Sequence, residues 1–381
     1  MADGINVLPY GKQWIDDDDV QSVVRVLRSD FLTTGPEVEA FEQDLCRATG
    51  ARHAVAVANG TAALHCAYGA LGVQAGDEVI TSPLTFSATS NMVLAVGARP
   101  VFVDVLPDTL CIDPRAVAAA ITSKTKVIAP VDFAGQPAAI DELRALAKPR
   151  GIHLVEDAAH SIGSHDRGRL VGSLADLTTF SFHPVKTITT GEGGAITTDD
   201  DALATRLRDF RNHGLVRDPA RLEHSGGPWY YEVQWLGFNY RLSALQCALG
   251  RSQLTKLDRF VARRRAIVTQ YRDALASAEL RFIDERPGVE SAWHLCAVRV
   301  SAAKRHAFFE GLVRSRIMPQ VHYITVPEFP LYRGLGYDPA ETPIAHEASR
   351  ELVSLPLYPA LSDTDVERVI AAVRAVLAEL R

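Results

Sequence analysis

Short apolar runs rich in β-branched residues recur through the first half of the chain, with stretches of helical spacing between them. Arg52–Val57 (RHAVAV), Glu78–Thr81 (EVIT), Pro100–Val103 (PVFV), Lys126–Pro130 (KVIAP) and Ile152–Val155 (IHLV) read as buried strands. Thr61–Leu71, Ser87–Val96, Asp113–Ile121 and Ala138–Ala147 read as helices. Strand–helix alternation at this spacing predicts βαβ units and an α/β fold with a mainly parallel sheet. Thr178–Phe182 and Ala195–Thr198 add two strands joined by a loop. A sheet of this kind binds its ligands outside the carboxyl ends of its strands.

The pattern changes after about residue 240. Leu242–Phe260 and Val261–Ala278 are long Arg- and Leu-rich helical patterns. A strand at Leu295–Val300, a helix at Ala303–Arg314, Pro- and Tyr-rich loops and a last helix at Asp363–Leu380 follow. The expected organisation is an N-terminal arm (1–20), a large domain (21–250) and a smaller α+β domain (251–381). Arg217–Gly227, polar and punctuated by Gly and Pro, is expected to be a mobile surface loop.

Composition narrows the possible functions. A chain of 381 residues exceeds a single compact core, and 47% hydrophobic with 23% charged residues is the balance of a globular protein. The net charge of −6 leaves no basic excess for nucleic-acid or anionic-membrane binding. Five cysteines without a CxxC pair argue against a disulfide framework or a zinc knuckle. No signal-peptide pattern and no apolar run of about 18 residues is present, so a cytoplasmic location is expected. Only seven of the 40 basic residues are lysine, which makes the setting of each lysine informative.

The dinucleotide GxGxxG, the P-loop, HExxH and GxSxG are all missing. The most distinctive stretch is FSFHPVKTITTGEGGAITTD, where Lys186 lies between two apolar strands and is followed by Gly191, Gly193 and Gly194. A desolvated lysine has a depressed pKa and becomes nucleophilic, as Schiff-base chemistry requires. The ordinary alternative is a surface lysine in a loop, with glycines that only make a turn. Glu156 and Asp157 fall at the carboxyl end of a predicted strand, and His160 follows one helical turn on. Asp157 is placed to face the ring nitrogen of a pyridoxal cofactor, or alternatively caps a helix. A metal site on Asp157 and His160 lacks a third ligand at a helical or strand spacing. Asn59, Gly60, Thr61 and Ala62 join a strand to a helix and offer free N–H groups to a phosphate, although Thr61 also suits a plain N-cap. Phe86 follows a strand and can stack on a cofactor ring or belong to the core.

Taken in order, LRSDFLTTGPEVEAFE, NGTAAL, VEDAAHSIGS, SFHPVKTITTGEGGAITT and LGFNYRLSALQCALG span nearly the whole chain. In these blocks the sequence resembles the DegT/DnrJ/EryC1/StrS family of pyridoxal-phosphate-dependent nucleotide-sugar aminotransferases, a branch of the fold-type I aminotransferases. FHPVKxITTxEGGA is most similar to the branch that makes UDP-4-amino-4,6-dideoxy-N-acetyl-altrosamine, a precursor of pseudaminic acid. The resemblance implies that Lys186 bonds to pyridoxal 5′-phosphate and shuttles a proton, while Asp157 holds the ring N–H. It places His160 near the ring hydroxyl and Phe86 on the ring face, and gives the phosphate to Thr61, the Ala62 backbone and Ser181. Asn239 would reach the phosphate of a neighbouring subunit in a homodimer. Arg241 would anchor the donor carboxylate, and Tyr10, Asp30, Phe31, Leu32, Thr33, Gln320, His322 and Tyr323 would contact the nucleotide sugar. Relatives that dehydrate or deoxygenate sugars carry His in place of this Lys, and many members carry Gln in place of His160.

The implied reaction is a ping-pong transamination. Glutamate leaves its amino group on the cofactor as pyridoxamine 5′-phosphate, and C4 of a UDP-linked 4-keto-6-deoxy N-acetyl hexose then accepts it. The rivals are amination of a dTDP-linked 3- or 4-keto sugar and a non-catalytic, cofactor-binding regulatory protein.

Overall fold

The computed structural model describes residues 7–224, 226–275 and 279–380. Its centre is a seven-stranded sheet made of β1 (His53–Val57), β2 (Glu78–Thr81), β3 (Arg99–Phe102), β4 (Thr125–Ala129), β5 (His153–Asp157), β6 (Leu177–Ser181) and β7 (Gly194–Thr198). The spatial order is β1-β7-β6-β5-β4-β2-β3, and β7 alone runs antiparallel to its neighbours. The strands other than the edge strand β3 were legible because they bury apolar residues on both faces. Ala54, Ala56, Ile80, Ile128, Leu154, Phe180 and Ala195 pack on one side of the sheet. Val55, Val57, Val79, Val127, Val155 and Ile196 pack on the other.

Helices α1 (Asp17–Leu27) and α2 (Pro36–Thr49) precede the sheet. Between its strands lie α3 (Gly60–Ala70), α4 (Ala88–Ala95), α5 (Pro114–Ala120) and α6 (Ile140–Ala147), and α7 (Asp201–Arg211) follows it. Two long helices come next, α8 (Ala244–Leu254) and α9 (Leu257–Leu275). The sequence pattern put their junction at 260/261, but the break falls at Thr255–Lys256. There Lys256 turns inward to bind Asp16 and, at 2.9 Å, the buried Asp19 of α1. An ion pair 237 positions back along the chain leaves no mark in local periodicity. The expected helix end at 276–278 lies outside the described residues.

Helix α9 runs between two cores. Leu257, Phe260 and Val261 belong to the sheet's core, while Ile267, Val268, Tyr271 and Leu275 belong to a second one. That second core also holds α10 (Ala302–Arg314), the last helix Asp363–Glu379 and a three-stranded sheet with β9 (Cys296–Arg299) between β8 (Arg281–Phe282) and β10 (Leu352–Leu355). The polar stretch 217–227, of which residue 225 lies outside the described residues, connects two short paired strands, Leu215–Val216 and Glu232–Val233. Among the described residues no helix is long and apolar enough to cross a membrane.

Candidate active site

A cavity of ≈ 680 Å³ opens at the carboxyl ends of β1, β2, β5 and β6. Asp157 is the last residue of β5, bridged to Val131 on one side and paired with Thr179 on the other. It is therefore a strand residue, and 158–164 form turns instead of the helix that the sequence suggested. Its Oδ2 accepts a hydrogen bond from Thr89 Oγ1 at 2.6 Å and its Oδ1 one from the Ala159 N–H at 3.2 Å. Burial pushes this carboxyl up; Thr89, the Ala159 N–H and the Lys186 charge pull it back. Asp157 forms no ion pair with any described residue, so its charge stands ready for a cationic ligand.

Lys186 projects from the loop between β6 and β7. That loop is fixed by Phe182 N–H to Gly193 O (2.8 Å), Thr190 N–H to Phe182 O (3.0 Å) and Thr189 Oγ1 to the same carbonyl (3.0 Å). The lysine is half-buried, lines the cavity, and its Nζ makes no hydrogen bond or ion pair with a described residue. Desolvation lowers its pKa to about 8, against the opposing pull of Asp157. The bland reading of a solvated loop lysine is therefore set aside. The glycines are more than a turn as well: a Cβ on Gly194 would lie 2.5 Å from Asn59 O and 2.8 Å from Gly60 N. Only glycine lets β7 pass so close to the start of α3.

Asn59 caps α3, its Oδ1 accepting the Ala62 N–H at 2.8 Å. The capping role weighed for Thr61 thus belongs to Asn59. The Ala62 N–H donates to this cap, and the first-turn N–H groups of Gly60 and Thr61 stand beside it at the start of α3. Ser181, at the end of β6, faces them, since a Cβ on Gly60 would come within 2.9 Å of Ser181 Cβ.

Histidines and tyrosines make the opposite wall. His160 Nε2 and Tyr323 OH are hydrogen-bonded at 3.0 Å. The His160 ring lies 4.4 Å from His294 and nearly parallel to Tyr323. Burial, together with the nearby Lys186 and His322, holds His160 well below the usual histidine range, so it is neutral. His294 is shifted the same way, and His322, bonded to Ser354 Oγ at 2.9 Å, is pushed down to about 3. Phe86 is 62% exposed at the mouth, which excludes the core alternative. Tyr10 and Gln320 also line the cavity.

Other expected contacts lie elsewhere in this chain. Arg241 bridges Val57 and donates to Asn212 Oδ1 at 2.6 Å, outside the cavity. Asn239 bridges Asn212 and does not line the cavity either. Asp30, Phe31, Leu32 and Thr33 form an exposed turn away from it. Sequence reasoning missed Thr89 and His294. Thr89 is one of several hydroxyls in TFSATS, and His294 is a lone histidine ahead of an apolar strand, so neither carried a signal.

An amine poised to lose its proton, a carboxylate with no ion-pair partner and a helix N-terminus facing a serine fit the aldehyde, the ring nitrogen and the phosphate of pyridoxal phosphate. His160 Nδ1, buried without a partner, leaves a further polar atom in the same wall. An α/β sheet with such a site at its strand ends defines a pyridoxal-phosphate enzyme. Residues 13–374 match the DegT/DnrJ/EryC1/StrS aminotransferase family, and the chain belongs to it. It is 40% identical over 97% of both chains to the spore coat polysaccharide biosynthesis protein SpsC of Bacillus subtilis. The candidate sugar aminotransferase Spr1654 of Streptococcus pneumoniae, solved in PMP and PLP forms, superposes with a TM-score of 0.93 in its PMP form. Identity there is 31%, over 98% of this chain and 100% of that one. Helicobacter pylori PseC, an aminotransferase of pseudaminic acid biosynthesis, gives 0.92 at 30% identity, with 98% and 100% covered. The protein is thus a pyridoxal-phosphate-dependent sugar aminotransferase of the fold-type I class.

Proposed function

We propose that the enzyme transfers the amino group of glutamate to C4 of a UDP-linked 4-keto-6-deoxy N-acetyl hexose, as a step toward a nonulosonic acid of the pseudaminic type. The observation that carries this reading is the whole-chain likeness to PseC, together with the intact Lys186 loop. When bound, the cofactor supplies an electron sink for the carbon that loses its proton. The chain's own residues do the rest. At pH 7 a pKa of about 8 leaves roughly a tenth of the Lys186 amine unprotonated, against fewer than about one in a thousand for an ordinary lysine. Lys186 Nζ therefore takes up and returns a proton at neutral pH. Asp157, aimed by Thr89, keeps a negative charge against the ring nitrogen. Gly60, Thr61 and Ser181 hold the phosphate, Phe86 covers the ring, and His160 stays neutral beside it.

Tyr10, Gln320, His322 and Tyr323 offer the sugar a wall without permanent charge. Among the described lining residues Lys186 is the sole lysine or arginine. Both substrates are anionic, so we assign further cationic and polar contacts to a second copy of the chain, through Asn239, Arg241 and the Asp30–Thr33 turn. A homodimer is then the active unit.

SpsC, at higher identity, favours as a second reading a different nucleotide-linked keto sugar, destined for a surface polysaccharide. Assaying amine formation with UDP- and dTDP-linked 4-keto sugars side by side, with glutamate as donor, separates the two. Conversion of the UDP sugar alone supports the first reading, and turnover of the dTDP sugar alone rejects it. The regulatory alternative requires that glutamate leave the cofactor's visible spectrum unchanged.

A further inference from the structure

Two acids lie behind Asp157, and nothing in the chemistry above uses them. Asp132 follows β4, Glu156 is the penultimate residue of β5, and both are fully buried. Each carboxyl lies within reach of the other's charge, yet neither forms an ion pair with a described lysine, arginine or histidine. Arg144, whose charge reaches Glu156, is bound to Asp176, and Arg286 is bound to Asp166. Two bare carboxylates repel in a dry interior. One retained proton removes the repulsion and supplies the donor that their contact lacks.

The hydrogen bonds locate that proton. Asp132 Oδ1 accepts from the Ala138 N–H at 2.9 Å and Oδ2 from Ser161 Oγ at 2.5 Å, so both oxygens serve as acceptors. Glu156 Oε2 accepts from Thr178 Oγ1 at 2.9 Å, whereas Oε1 is buried with no partner. A proton on Glu156 Oε1, donated to Asp132, satisfies the orphaned atom. Burial is the largest cause that pushes both carboxyls up, Glu156 to about 7. The two hydrogen bonds accepted by Asp132 are what place the proton on the glutamate side.

The pair is wired to the site. The Asp132 N–H donates to Asp157 O at 3.1 Å, and Ser161, held by Asp132, donates its own N–H to Ala158 O at 3.0 Å. The turn closed in this way carries His160 and the Ala159 N–H that binds Asp157 Oδ1. We propose that Asp132 is a positioning residue for Asp157, gripping this turn as an anion that accepts a hydrogen bond from the neighbouring Glu156 carboxyl, which keeps its proton. The proposal rests on the assignment of Asp157 to the cofactor's ring nitrogen.

The two isosteric variants answer differently. In Glu156→Gln the new amide donates where the carboxyl did and still accepts from Thr178. The loaded enzyme should keep its kcat, and the pH midpoint of its visible absorbance, within about twofold and a few tenths of a pH unit of wild type. In Asp132→Asn an NH2 must face the Ala138 N–H or the Ser161 hydroxyl. There kcat should fall about tenfold with both KM values within about twofold, and the absorbance midpoint should move. Should Asp132→Asn fail to fold, Ser161→Ala removes only the Oδ2 donor and is expected to lower kcat about threefold in the same pattern. The reverse ranking, or a lower Tm with unchanged kcat and absorbance, overturns the proposal. A wrong assignment of Asp157 reads out separately, because Asp157→Asn would then keep full activity.

Discussion

At the scale of single residues the site depends on one lysine held where its proton is poorly solvated. Unfolded, Lys186 titrates near 10.5; folded and free of cofactor it titrates near 8. Between these values the unfolded chain binds the extra proton, so stability rises with pH there, and below about 8 the folded state bears the full cost of the buried charge. Lys186→Met should therefore raise the Tm of the cofactor-free protein at pH 7, and the gain should disappear above about pH 10.5. The same variant should lose the visible absorbance of the loaded enzyme and all turnover; measurable transamination by it would remove Lys186 from its assigned role. Asp157→Asn keeps the shape and the Thr89 contact but removes the charge. Losing one partner of a buried ion pair costs about 3–5 kcal/mol, so kcat should drop by about two to four orders of magnitude. Lys186 and Asp157 could be read from the sequence because their side-chain types carry the chemistry and they sit beside strand ends. Thr89 could not, since its role comes from an acid 68 positions away.

Secondary-structure elements were the most legible level, and their failures have physical causes. All seven strands of the sheet were found within one or two residues of their observed bounds; in all but the edge strand β3, burial on both faces gives short apolar runs. The turn at 158–164 was taken for helix, since DAAHSIGS has helical spacing at His160; its hydroxyls instead bond to distant acids and carbonyls, as Ser164 Oγ does to Gly135 O at 2.7 Å. The closeness of β7 to α3 was invisible too, because a glycine states that a side chain is unwelcome without saying what it would hit. Gly194→Ala tests that contact. Its methyl would meet backbone atoms of Asn59 and Gly60, which cannot rotate away, so α3 must shift from Ser181. Overpacking of this kind costs about 1–3 kcal/mol. The expected outcome is a cofactor Kd raised about ten- to hundredfold, with the fold retained by circular dichroism. Unchanged affinity would mean that the start of α3 does not hold the phosphate.

Over the whole molecule, the sequence names residues without saying whose cavity they serve. Asn239 and Arg241 lie in LGFNYRLSALQCALG, one of the blocks that carry the family resemblance, yet they do not line their own chain's cavity. Near them Trp229 and Leu236 stand 76% and 78% exposed, a large apolar surface for a lone chain. Among the described lining residues the cavity has one lysine and no arginine; this and the exposed apolar segment beside Asn239 and Arg241 both support the proposal that a second copy completes the site. Complementation decides between this and a cis arrangement. Lys186→Ala and Asn239→Ala would each be nearly inactive as pure homodimers. When they are co-expressed, a mixed dimer in which Asn239 acts across the interface pairs one intact lysine with one intact asparagine, and so rebuilds one complete site of its two. With random assortment roughly a quarter of wild-type activity should return. If Asn239 served its own subunit, every site in the mixture would keep a lesion and activity would stay at the level of the parents.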